Sequence, residues 1–274
     1  MSAVREIKKR IIAVKNIRKI TGALHLISSV HLKNAQKILE NFRPVYERMK
    51  EMVSLIPFEG WEIKERSVLI VISGDRGFDG GYNASVLEEA KNKVQELGKP
   101  VLLTVGKKAE KFFKERGFEV ALNVGEISKK LHWDALEDLA EFSIEHFISG
   151  REIFVTYTRF TNPFDIKPHT ERILPPKAAT KEGFYFSFEP EPRELFWHIA
   201  RFYFKVCVYD FLLNSFLSEQ YLRTRAMETA TENADNLIEE LTLEFHKERK
   251  ALITREIAEI VGAENLGGGE GFGR

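Results

Sequence analysis

The chain has 274 residues, of which 43% are hydrophobic, enough for a substantial core, so a disordered chain is excluded. Lys plus Arg and Asp plus Glu both number 41, a balance that argues against coating nucleic acid through bulk charge. A single cysteine, Cys207, rules out an internal disulfide framework or a multi-cysteine metal site.

Charge is unevenly placed. Residues 1–50 hold twelve basic and three acidic residues, and residues 219–262 hold six basic and ten acidic. A basic start and an acidic end suggest two segments that face each other or face charged partners. The first residues carry no apolar run, so no secretory signal is expected, and the cytosol or the cytosolic side of a membrane is the default setting.

In chain order, residues 3–56 read as one long helix interrupted only by Gly22 and Pro44. Apolar or small residues recur at Ile7, Ile11, Val14, Ile17, Ile20, Leu24, Ile27, Ala35, Ile38 and Phe42, three or four apart. Ser67–Ser73 is a continuous apolar run of the kind found in strands buried on both faces. Ala84–Leu97 reads as a helix, Val101–Val105 as a strand, Lys107–Arg116 as a helix and Phe118–Val124 as a strand. Leu131–Ile148 then reads as a helix and Ile153–Tyr157 as a strand. Shorter strands are expected near Glu171–Leu174 and Phe184–Phe188. This alternation predicts an inserted, mainly parallel, Rossmann-like α/β domain.

From Arg193 to Val261 there is neither Gly nor Pro, 69 residues in all. One helix of that length would span roughly 100 Å and needs a partner for its apolar stripe. Ala226, Ala230 and Ala234, followed by Leu237, Leu241, Phe245, Leu252, Ile257 and Ile260, supply such a stripe. The fold expected is therefore α/β with a long antiparallel two-helix coiled coil made from the chain's two ends. Thr21, Ser28, His31 and Asn233 are expected at or near its seam, where polar residues fix register. Seventeen of the 23 residues Leu195–Leu217 are apolar and lie on all sides of a helix. Arg201, Lys205 and Asp210 within it argue against a membrane span and for burial on two sides.

The first strand ends in Gly74-Asp75-Arg76-Gly77-Phe78-Asp79-Gly80-Gly81-Tyr82-Asn83. A glycine-rich turn between strand and helix is a common place for phosphate. Here the Lys and Ser/Thr of a P-loop are absent, the spacing is not G-x-G-x-x-G, and two aspartates repel an anion. A structural turn built on Gly74, Asp75, Arg76, Gly77, Gly80 and Gly81, with Arg76 and Asp79 available for local pairing, is the reading favoured. The histidines show no i, i+3 or i+4 pair for a metal, and no nucleophile motif is visible, so neither a catalytic residue nor a cofactor is expected.

The run Ser218-Glu-Gln-Tyr-Leu-Arg-Thr-Arg-Ala-Met227, continuing through Asn233-Ala, Leu237-Ile238, Arg249 and Ile253-Thr254 to Glu259-Ile-Val261, resembles the C-terminal helix of the γ subunit of rotary F-type ATP synthase. Asn16 and Lys19-Ile20-Thr21 resemble the family's N-terminal helix. Asp75-Arg76-Gly77 with Gly80-Gly81-Tyr82-Asn83 resembles its D-R-G-L-C-G-G-L-N. The resemblance covers nearly the whole chain. Departures are Asp79 in place of Cys, Gly22 in place of Lys, Leu24 in place of Met, His246 in place of Asn, and Glu248 and Lys250 in place of Ala and Gln.

The resemblance implies a rotating central shaft with no active site of its own, a non-catalytic subunit that couples ion flow to catalysis elsewhere. The division expected is a shaft of residues 1–57 plus 193–262 and a foot domain of 62–190; the glycine-rich tail of 263–274 is not part of the family pattern and is expected to be mobile. The shaft's partners would be the α and β subunits of the catalytic ring, the ε subunit and the membrane-embedded c-ring, with no nucleic acid and only indirect membrane association. Its place would be the cytoplasmic face of a bacterial inner membrane. Leu24, Arg249, Lys250 and Thr254 would touch the catalytic ring. A phosphate-using α/β enzyme and a coiled-coil adaptor of another assembly remain as alternatives.

Overall fold

The computed structural model describes residues 2–57, 66–125, 133–176 and 189–267. In chain order it contains α1 (Ser2–Ser54), β1 (Val68–Ile72), α2 (Tyr82–Glu96), β2 (Val101–Val105), α3 (Lys107–Lys114) and β3 (Val120–Val124). A 3₁₀ turn (Trp133–Leu136) then leads into α4 (Glu137–Ile148), β4 (Ile153–Asn162), β5 (Asp165–Leu174) and α5 (Pro192–Gly267). The chain divides into two compact units. One combines the segment up to Leu26 with the segment from Arg225, and the other is Ile27–Thr224.

The larger unit is built on a five-stranded sheet of order β3-β2-β1-β4-β5. β1 pairs in parallel with β2 (Val68 opposite Val101) and with β4 (Val68 opposite Ile153). Only β5 runs antiparallel, as a hairpin partner of β4. The run Val68-Leu-Ile-Val-Ile72 is buried along its whole length, as a central parallel strand must be. Its alternate residues feed two cores. Leu69 and Val71 pack with Val86, Ala90 and Val94 of α2 and with Phe113 of α3. Val68, Ile70 and Ile72 face α4, the second half of α1 and the first part of α5.

This second face explains the apolar stretch at Leu195–Leu217. Phe196, Phe204, Val208 and Phe211 join the sheet core, while Leu213 and Leu217 pack on Ala35 and Leu39 of α1. Tyr209 meets the Phe42 ring edge-on at 4.8 Å. Among the described residues no helix is long and apolar enough to cross a membrane.

The sheet departs from expectation at its edge. The last strand is ten residues long, because Asp165–Pro168 continues the pairing as far as Asn162. Pro168 and the charges of this extension sit on an edge strand, where a missing N–H is harmless and charges discourage further pairing. Of the helix expected over Leu131–Ile148, the described residues start at Trp133, with the 3₁₀ turn Trp133–Leu136. The strand expected at Phe184–Phe188 lies outside the described residues.

Both interruptions of the first helix are absorbed, since α1 runs through Gly22 and Pro44. The buried side of α1 follows a seven-residue repeat of Ile7, Val14, Thr21, Ser28 and Ala35, of which Val14 is half-buried, with Leu39, Tyr46 and Val53 on a second heptad track. Ile17, Ile20 and Ile27, which the three-four spacing places in the seam, are each more than half exposed. A heptad seam admits Thr21 and Ser28 because small residues let the helices approach, and it turns the bulky isoleucines outward. On α5, Met227, Ala234 and Leu241 occupy the matching buried heptad track. Leu237 and Asn233 lie outside it, both exposed.

Candidate functional site

Two places bear on function, one in each unit. In the smaller unit the chain's ends pair antiparallel. Arg18 Nε donates to Asp235 Oδ1, and the Thr21 and Thr231 hydroxyls meet at 2.8 Å. Thr21 also donates to the Arg18 carbonyl at 3.1 Å, so the polar pair at the seam is satisfied. Around this seam the helices expose large apolar side chains: Ile12, Ile17 and Ile20 on α1, and Leu243, Ile253 and Ile257 on α5. Arg249, Lys250 and Thr254 are exposed, and Leu24 is half-buried. Thr254 Oγ1 donates to the Lys250 carbonyl at 2.9 Å. Asp235, a candidate local partner for Arg249, is engaged by Arg18. Among the described residues Arg249 has no ion pair.

In the larger unit the glycine-rich loop follows β1. A doubly wound sheet of this order places its ligand crevice beyond the carboxyl ends of its strands, where the winding reverses between β1 and β4. That crevice is filled by α5. A Cβ on Gly74 would lie 2.9 Å from Glu219 Oε1. Gly80, with φ of +62°, leaves its missing Cβ only 2.8 Å from the Leu222 carbonyl oxygen. The remaining cavity, lined by Ile72, Ser73, Tyr82, Leu212, Ser215 and Glu219, is about 20 Å³. That admits one water and no phosphate ester.

The loop is tied by its own polar groups. Gly74 N–H donates to Asn83 Oδ1 at 2.8 Å, and Asn83 Nδ2 donates to the Arg76 carbonyl at 3.0 Å and to Asp79. Asp79 Oδ1 accepts from Gly81 N–H at 3.1 Å, and Asp75 Oδ1 from Lys107 N–H at 3.0 Å. All six turn residues therefore sit in one loop, which Arg76 ties through its carbonyl; among the described residues its guanidinium has no hydrogen bond or ion pair. The arginine at the loop is Arg223, which donates to Glu219 at 2.6 Å and to the Gly77 carbonyl at 3.4 Å. Glu219 and Arg223 are both buried. Burial pushes the Glu219 carboxyl upward, and Arg223 opposes that shift. Sequence reading missed this pair. Its signal was an acid and a base four apart on the same face of a helix that is otherwise mostly apolar.

These observations define a class: a helical-shaft protein whose inserted α/β domain has had its ligand crevice sealed by its own last helix. Residues 3–266 match a family model described as ATP synthase. The ATP synthase gamma chain of Alkaliphilus metalliredigens is 32% identical, the match covering 96% of this chain and 98% of the relative. The sodium-ion-specific ATP synthase gamma chain of Acetobacterium woodii is 28% identical over 94% of this chain and 97% of its own. Among solved structures, a chain of the Euglena gracilis mitochondrial ATP synthase (OSCP/F1/c-ring, rotational state 3) superposes with a TM-score of 0.73 at 18% identity. That match covers 100% of this chain and 98% of that one. A chain of the Tetrahymena thermophila mitochondrial ATP synthase, from a structure of its central stalk and c-ring, gives 0.61 at 24% identity, covering 77% and 99%. The chain belongs to the ATP synthase gamma-chain family.

Proposed function

We propose that this chain is the rotating central stalk of a membrane-bound ATP synthase, a subunit that couples ion flow to catalysis and performs none itself. Family membership over residues 3–266, which takes in both long helices and the sheet, carries this reading. The exposed isoleucines and leucines of the smaller unit support it, because apolar side chains on both helices call for a surround. Partners are the α and β subunits of the catalytic ring, the ε subunit and the c-ring. The stalk shifts the states of the catalytic sites only through contacts that differ with its orientation. The basic face of the first 50 residues suits an acidic ring surface.

Leu24, Arg249, Lys250 and Thr254 are proposed as contacts with that ring. Arg249 offers a forked donor for a carboxylate, and Lys250 a point charge. The functional division proposed is a shaft of 1–57 plus 193–262, a foot of 62–190 and a tail of 263–274. The packing units cut the helices elsewhere because the second half of α1 and the first part of α5 bury against the sheet. The chain is peripheral to the membrane through the complex, and the proposed side is the cytoplasmic face of a bacterial inner membrane. Affinity purification of the tagged chain from its own membranes tests the reading. Recovery with α, β and ε supports it, and recovery with other proteins but neither α nor β overturns it.

A further inference from the structure

In the larger unit, α5 carries one carboxylate into the core without a countercharge. Asp210 is 6% exposed. Its carboxylate accepts a 2.9 Å hydrogen bond from the Asn214 side-chain amide on its own helix, and among the described residues it has no ion pair. Around it stand Arg43, Tyr46 and Lys50 of α1, Tyr157 and Arg159 of β4, Glu171 of β5 and Cys207 of α5. Of the nearby cations, Arg43 pairs with Glu47 at 3.4 Å and Lys50 with Glu171 at 2.9 Å, while Arg159 has no ion pair among the described residues and offsets the burial of Asp210 only in part. The Tyr157 ring stacks on Phe211, next to Asp210 in sequence, at 4.2 Å. Three elements thus close on a carboxyl group that has one neutral donor.

We propose that Asp210 is a proton-operated latch in the join of α5 with α1 and the β4–β5 hairpin: taking up a proton tightens the join, and losing it loosens the join. The neutral acid suits the apolar surroundings and keeps its hydrogen bond from Asn214. The anion suffers desolvation that the distant arginines only partly offset. Burial accordingly pushes the carboxyl from 3.8 up to about 6. The folded state then holds the proton more tightly than any opened state in which Asp210 meets water. Stability at this join is greatest in acid and is lost as pH rises through the folded value. The latch therefore loosens from about pH 4 to about pH 6, between the ordinary and the folded values, and levels off above.

Cys207, one helical turn away, buried, and the only thiol in the chain, reports the opening. The full chain and its Asp210→Asn variant are exposed to a dithiodipyridine reagent, which reacts from acid to alkaline pH. The ratio of wild-type to variant labelling rates cancels the thiol's own titration. That ratio should rise about tenfold between about pH 5 and about pH 8 and level off above neutrality. A ratio constant with pH overturns the latch. Should the variant fail to fold, wild-type chain carrying carbon-13 at aspartate carboxyls decides the matter, with the Asp210 signal assigned by its loss in Asp210→Glu. A midpoint near about 6 supports the proposal, and one below about 4.5, within the ordinary range, overturns it.

Discussion

At the scale of single residues, two glycines in this chain have opposite meanings. Gly22 lies inside α1, and a Cβ there would meet nothing within 4 Å. Gly22→Ala should stabilise the chain by about 0.5–1 kcal/mol, mainly by removing freedom from the unfolded state, and a thermal melt checks it. Gly80 combines a positive φ with a backbone oxygen at 2.8 Å from the missing Cβ. Gly80→Ala should lower the melting temperature and detach α5 from the loop. Arg223 is a third case. Arg223→Met leaves Glu219 buried and unpaired, which should cost about 3–5 kcal/mol in denaturant unfolding. Replacing both partners by Met and Leu should recover much of that loss. The loop's glycines were legible in the sequence, but the reason for them was not. Glu219 and Leu222 lie nearly 140 or more positions downstream, and nothing local in Gly74–Gly81 points to them.

At the scale of elements, sequence and structure agree where one force dominates and diverge where two compete. β1 and β2 were legible because burial on both faces demands unbroken apolar runs. β5 was half legible because an edge strand is solvated, and its Pro168 and charges obey edge rules. The helix seam was legible in kind but mistaken in position. Counting only apolar residues favoured Ile17, Ile20 and Ile27, whereas the packed repeat passes through Thr21 and Ser28. Thr21 and Ser28 were expected at or near the seam and are buried there; what the three-four spacing hid is that the heptad track through them excludes the bulky isoleucines. This difference separates two variants. Ile7→Asp should destabilise the isolated chain, since it buries a charge. Ile17→Asp should leave its unfolding free energy within about 0.5 kcal/mol of wild type, as surface changes do, yet weaken assembly with the ring subunits. Equal melting losses for both would place Ile17 in the seam after all.

At the scale of the whole molecule, function is a property of the assembly, and the predictions shift from folding to coupling. The sealed crevice predicts that the isolated chain shows no saturable ATP binding in a calorimetric titration. Micromolar binding would reopen the enzyme alternative. Arg249 is exposed and has no ion pair among the described residues, so Arg249→Ala should leave folding intact. In the assembled complex it should slow rotary turnover by removing a charge-assisted contact of about 1.5–3 kcal/mol. With Lys250 as a point charge alongside, the wild-type contact should weaken in high salt. Turnover unchanged at low and high salt would leave Arg249 a solvated surface residue. Sequence motifs carried this chain to its family, but which surface each motif residue presents became legible only once the heptad was seen in three dimensions.

The pairing of Arg18 with Asp235, 217 positions apart, fixes an order of events at the ribosome. At about 5–20 residues per second, the first helix emerges roughly 10–40 s before the residues that cover it. Throughout that interval the buried heptad track of α1 is open to other nascent chains. The hydroxyls of Thr21 and Ser28 interrupt what would otherwise be a continuous sticky stripe along that track, so the polar residues of the seam in the finished stalk also blunt it while it waits for its other half.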